Sequence, residues 1–96
     1  MGDNSESSAY FQLGMIAAQN GNRNEAKKNL RLAIEKGALD KESKASAHLQ
    51  LAGIELQSRK FSAATNHFKK AKALKPQTKE VQDQIAQMEK YIHRRG

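Results

Sequence analysis

Apolar residues at Phe61, Ala64, Phe68, Ala71 and Leu74 alternate at spacings of three and four, which marks one face of a helix. Residues 60–76 frame it. Ser62 is an N-cap residue type, which leaves Phe61 just outside. Pro76 ends the helix, because the residue before a proline is pushed out of the α region. Lysines crowd the last turns, where they complement the helix dipole. Small Ala64 and Ala71 alternate with large Phe61, Phe68 and Leu74, so a second helix can approach closely at the alanines.

The same pattern recurs upstream in residues 23–34. Ala26 matches Ala64, Leu30 matches Phe68, Ala33 matches Ala71, and Asn24 stands where Ser62 does, both being N-cap types. Extended backwards without gaps, residues 9–14 align with residues 47–52, so the chain contains an internal repeat. The two copies stand 38 positions apart. A first helix is predicted up to about Asn20, then a turn at Asn20, Gly21 and Asn22, whose residue types tolerate positive φ. The second helix runs from about Asn24 to Lys36, and Gly37 suits the left-handed position that ends a helix. The third covers about Glu42 to Ser58, the fourth follows, and Thr78 caps a fifth that reaches about His93. The extra residues within 37–44 are expected either as loop or as added helix at the start of the third element. The fifth helix is no third copy. Val81, Ile85, Met88 and Ile92 form one narrow apolar stripe, as suits a terminal cap with a wet outer face.

At these positions the chain resembles the tetratricopeptide repeat family, whose pattern runs over about 34 residues. Copy one, residues 7–40, supplies Tyr10, Leu13, Gly14, Gly21, Ala26, Leu30 and Ala33, with Ala38 in place of the closing proline. Copy two, residues 45–78, supplies Leu51, Ala52, Phe61, Ala64, Phe68, Ala71 and Pro76. It carries His48 for the aromatic and Glu55 where a tyrosine is usual. The resemblance implies an all-α solenoid fragment of two helix-turn-helix repeats and a C-terminal capping helix. The expected organisation is a disordered leader over residues 1–5 and one domain over residues 6–94. That domain divides into repeats at 7–40 and 45–78 and a cap at 79–94.

The resemblance also implies a concave groove lined by the first helix of each repeat. Carried over by position, it includes Phe11, Met15, Ala18, Gln19, Leu49, Gln50, Gly53, Leu56 and Gln57, extended by Gln84 and Gln87 of the last helix. One subgroup of the family clamps acidic C-terminal tails with basic residues and asparagine. The clamp positions here are Phe11, Met15, Gln50, Glu80 and Gln84, which argues against such a clamp. An apolar groove edged by amides suits a partner helix or an extended segment with aliphatic anchors. The first helix is apolar on nearly every side. Its Phe11/Met15 side is expected to be partly exposed or covered by an upstream repeat, a bound peptide or a second copy in a homodimer.

Charge adds a competing reading. The 96-residue chain has a net charge of +7, all of it from Lys41 onward. Lys69, Lys70, Lys72, Lys75, Lys79, Arg94 and Arg95 would serve an electrostatic binder of RNA or anionic membrane. Aromatics are not interleaved with these bases, as stacking on single strands would require. Cysteine is absent, so no disulfide framework or thiol chemistry is available. No apolar run nears the ~20 residues that span a bilayer, and the N-terminus is polar and acidic, unlike a signal peptide. The default expectation is a soluble chain in a reducing, cytoplasmic compartment.

No catalytic constellation stands out, and no cofactor or metal is implied. His48, His67 and His93 fall on three different helices without metal-ligand spacing, and His48 occupies an aromatic core slot. Glu55 is expected to reach solvent or pair with a lysine. The reading is a non-enzymatic protein-interaction or scaffold module, part of a longer protein or assembly, that binds a peptide or partner helix in its groove.

Overall fold

The computed structural model describes the backbone of residues 3–95 and the side chains of residues 6–94. Five helices fill the described residues: α1 (Asp3–Gln19), α2 (Arg23–Lys36), α3 (Lys41–Gln57), α4 (Phe61–Ala73) and α5 (Lys79–Arg95). α1 with α2 and α3 with α4 form antiparallel hairpins. α2 joins the hairpins by packing on α3, and α5 closes the stack against α4 and α3.

Small residues set how closely the helices approach. Ala26, Ala33, Ala64 and Ala71 have no exposed surface, as their spacing required. One close approach is at Gly14 of α1. A Cβ built there would lie 2.7 Å from Leu30 Cγ, 2.8 Å from Leu30 Cδ2 and 3.1 Å from the Leu30 backbone nitrogen. One core cluster joins Ala17, Ala26, Leu30, Ala47, Leu51 and Ile54. A second joins Ala45, Leu49, Phe68, Ala71 and Val81, with Ile85, Met88 and Ile92 packed on it. The apolar stripe of α5 therefore faces inward while Gln82, Asp83 and Lys90 face water, as a cap requires.

The repeat extends to individual hydrogen bonds. Asn22 N–H donates to Ala17 C=O at 2.8 Å, and Lys60 N–H donates to Glu55 C=O at 2.8 Å. Gly37 N–H donates to Ile34 C=O at 3.0 Å, and Lys75 N–H to Lys72 C=O at 3.0 Å. Each bond recurs 38 positions later. So does the left-handed backbone: Gly21 (φ 78°) and Gly37 (φ 76°) are answered by Arg59 (φ 64°) and Lys75 (φ 52°). Copy two thus places side chains where glycine is at ease, at a local cost its packing offsets.

Several expectations change. α2 and α4 begin at Arg23 and Phe61, not after Asn24 and Ser62, and their N-caps Asn22 and Lys60 make no side-chain cap bond. The left-handed residue before each cap folds the chain back onto the preceding helix, so the new helix starts earlier. The extra inter-repeat residues are helix. α3 begins at Lys41, capped by Asp40, whose carboxylate accepts the Ser43 N–H at 2.7 Å. Thr78 stands at the N-cap position of α5, where its C=O accepts the Gln82 N–H at 2.9 Å, and its hydroxyl donates to Glu42 Oε1 at 2.6 Å. Glu42 also accepts the N–H groups of Gln77 (2.6 Å) and Thr78 (3.2 Å), and so fastens the α4–α5 link to the start of α3. The Thr78 hydroxyl, then the Gln77 N–H, hold the Glu42 carboxyl below the usual carboxylate range. The expected leader over residues 1–5 falls partly outside the described residues. Met1 and Gly2 lie outside the described residues, while the backbone is helical from Asp3. Docking of this end supports that turn: Ser7 is fully buried and its Oγ accepts the Ala38 N–H at 3.2 Å.

Gly14 and Gly53 separate close approach from simple helix propensity. Gly14→Ala is expected to lower unfolding stability by about 1–3 kcal/mol through overpacking on Leu30. Gly53→Ala, with nothing within 4 Å of the added Cβ, is expected to raise it by up to about 1 kcal/mol. Denaturant melts of the two variants check the pair of signs.

Candidate functional site

α3 contributes Leu49, Gln50, Gly53 and Leu56 to a cavity of about 350 Å³, and α5 contributes Gln84, Gln87, Met88 and Tyr91. Both sets follow helical spacing, so each lies on one face of its helix. The α5 stripe sets the separation: Val81 is buried at one end, whereas Tyr91 is 46% exposed at the other. No residue lining this cavity is charged. Leu49, Leu56 and Met88 give it apolar walls, and three glutamine amides supply donors and acceptors. Gly53 leaves its floor open, since an added Cβ would meet nothing. A smaller hollow of about 250 Å³ shares Gln50 and Gly53 and continues toward α1 through Ala18, Ile54 and Gln57. At its end Arg23 Nη1 donates to Gln57 Oε1 at 3.3 Å, bridging the repeats.

Of the residues expected in the groove, Leu49, Gln50, Gly53, Leu56, Gln84 and Gln87 share the main cavity. Ala18 and Gln57 line the hollow beside it. Phe11 and Met15 line neither: both are half-buried and pack against the first core cluster. Gln19 lies exposed near the end of α1 and lines neither. Met88 and Tyr91 were absent from the expected set. Their signal was present, since Gln84, Gln87 and Tyr91 follow the spacing i, i+3, i+7.

Another face, where α2, α3 and α4 meet, is polar and charged. Glu55 is 2% exposed, with Lys27 Nζ 3.6 Å and Arg31 Nη2 3.7 Å from its Oε2. It pairs with a lysine as expected, but it does not reach solvent, and its Oε1 has no hydrogen-bond partner. His48 and His67, which their positions in the sequence kept apart, meet with Nδ1 atoms 3.1 Å apart. One ring must donate and the other accept, so at least one is neutral. Burial pushes His48 down to about 4, helped by His67, Lys70 and Lys44. Burial also lowers His67, with Lys70 adding to the effect and Glu55 opposing it. His93 lies apart on α5, 4.0 Å from Glu89. Among the described residues no group of three or more His, Cys, Asp or Glu side chains could hold a metal ion.

Residues 7–35 match the family model of the tetratricopeptide repeat. This segment is similar to a tetratricopeptide repeat. The match covers α1 from Ser7 and nearly all of α2, and the hydrogen bonds shared by the two copies carry the same unit through α3 and α4. Tetratricopeptide repeats are generally non-enzymatic protein-interaction modules, so protein partners are the expectation that goes with this fold. Neither a curated protein nor a solved structure matches the chain. Among the described residues no helix is long and apolar enough to cross a membrane.

The histidine pair makes stability depend on pH. Above the ordinary imidazole value of 6.5, His48 is neutral both folded and unfolded, and its contribution is complete. As pH falls from 6.5 toward about 4, only the unfolded chain takes up this proton, so stability falls with it. The expected loss by pH 4 is about 3 kcal/mol. His48→Leu is expected to flatten this part of the stability profile, and thermal melts from pH 7.5 to 4 check it.

Proposed function

We propose that this tetratricopeptide-type chain binds an extended peptide or partner helix in the concave cavity between α3 and α5. The observation that carries this reading is the lining: aliphatic walls with three glutamines and no charge. A neutral lining on a chain of net charge +7 favours recognition by apolar anchors. The glutamine amides suit main-chain N–H and C=O groups of an extended segment. The cavity is large enough for one or two aliphatic side chains, and its volume falls within the range of ligand pockets. Phe11, Met15 and Gln19 are not part of this proposed contact surface.

The competing class is an electrostatic binder. Lys69, Lys70, Lys75, Lys79 and Arg94 are exposed, Lys72 is paired with Glu89 at 2.8 Å, and the side chain of Arg95 lies outside the described residues. None of these bases lines the main cavity, so the two readings separate experimentally. Selection from a random nine-residue peptide library on the intact chain is expected to enrich Leu, Ile or Met anchors. Affinity for the selected peptides should fall at least about 10-fold in Leu56→Glu and change less than about 3-fold between 50 and 500 mM salt. Enrichment of acidic peptides whose binding collapses with salt would instead favour the electrostatic class.

A further inference from the structure

We propose that the outer face of α1 pairs with the same face of a second copy of this chain, antiparallel and about a two-fold axis. Leu13 is 52% exposed and Ile16 54%. With exposed Ala9 they form one stripe at i, i+4 and i+7. The internal repeat shows how unusual that exposure is. The same stripe in copy two is Ala47, Leu51 and Ile54, exposed by 0%, 0% and 5%. There it shares a core cluster with Ala26 and Leu30 of α2. The chain therefore carries two copies of one apolar surface and covers only the second.

Charge selects the occupant. No Lys, Arg, Asp or Glu occurs between Glu6 and Arg23, whereas every other helix carries lysine. Two molecules of net charge +7 repel each other across any basic surface. The α1 face is where like copies meet without that opposition. Shape agrees with a two-fold axis passing near Leu13. Leu13 then meets the partner's Leu13, and small Ala9 meets the partner's Ile16, the same small-to-large fit that joins Gly14 to Leu30. One helix about 25 Å long buries less than a standard interface, so the dimer is weak and depends on concentration. The α3–α5 cavity stays open in this arrangement, which makes the inference independent of peptide binding.

Sedimentation of the intact chain from about 5 µM to about 1 mM tests this in the range where weak pairs assemble. The mean mass is expected to rise from 10.7 kDa toward twice that value. Leu13→Lys/Ile16→Lys, whose side chains are exposed and whose helicity is checked by circular dichroism, should shift the rise at least about 10-fold upward in concentration. Ala86→Lys on the exposed face of α5 should leave it in place. The chain has no cysteine, so Leu13→Cys is expected to oxidise to a covalent dimer at least about 10-fold faster than Ala86→Cys if the two-fold axis passes near Leu13. A monomer throughout the range, an association insensitive to Leu13 and Ile16, or equal oxidation of the two cysteine variants would overturn the proposal.

Discussion

The structure depends on how closely paired helices approach at a small residue. In copy one that residue is Gly14, where an added Cβ would fall within 3 Å of the Leu30 side chain. In copy two Ala52 and Phe68 hold the equivalent positions. A dense interior leaves no slack at such a point, so the separation of the hairpin helices is fixed there. Buried alanines on α2 and α4 hold the same spacing along the hairpins. Because the hairpins share one geometry, they stack with a consistent offset, and α5 meets the end of the second hairpin as a further helix would.

That stacking separates two surfaces of different chemistry. The cavity between α3 and α5 has glutamines and aliphatic walls and no charge. Where α2, α3 and α4 meet, Glu55 is buried beneath Lys27 and Arg31, with the His48–His67 pair beside it. Burying a carboxylate is costly, and pairing it with two cations 3.6–3.7 Å away offsets only part of that. The two imidazoles make this part of the core sensitive to proton concentration.

Helix periodicity and the repeat were legible in the sequence because both are local or nearly local signals. The alanine register gave the hairpins, and the stripe of Val81, Ile85, Met88 and Ile92 gave the cap. Helix starts were misplaced by one or two residues because the deciding feature was the left-handed residue before each cap. In copy two that residue is Arg59, which carries no turn signature. The Glu42 contacts to Gln77 and Thr78 and the His48–His67 pair join residues far apart in sequence, so only the packed helices reveal them. On α1 the sequence showed an apolar helix but not its orientation. The exposed side is Leu13 and Ile16, while Phe11 and Met15 turn toward the core.

The claim that ligand recognition belongs to the uncharged concave surface is tested most directly by amide chemical-shift mapping. The probe is a blocked, uncharged nine-residue peptide with leucine anchors, titrated into the intact labelled chain. The largest shifts are expected at Gly53, Gln84 and Gln87, which line the cavity, with little change at Arg31, Lys70 and His67. Shifts concentrated on Arg31, Lys70 and His67, with Gly53 unmoved at saturation, would contradict it.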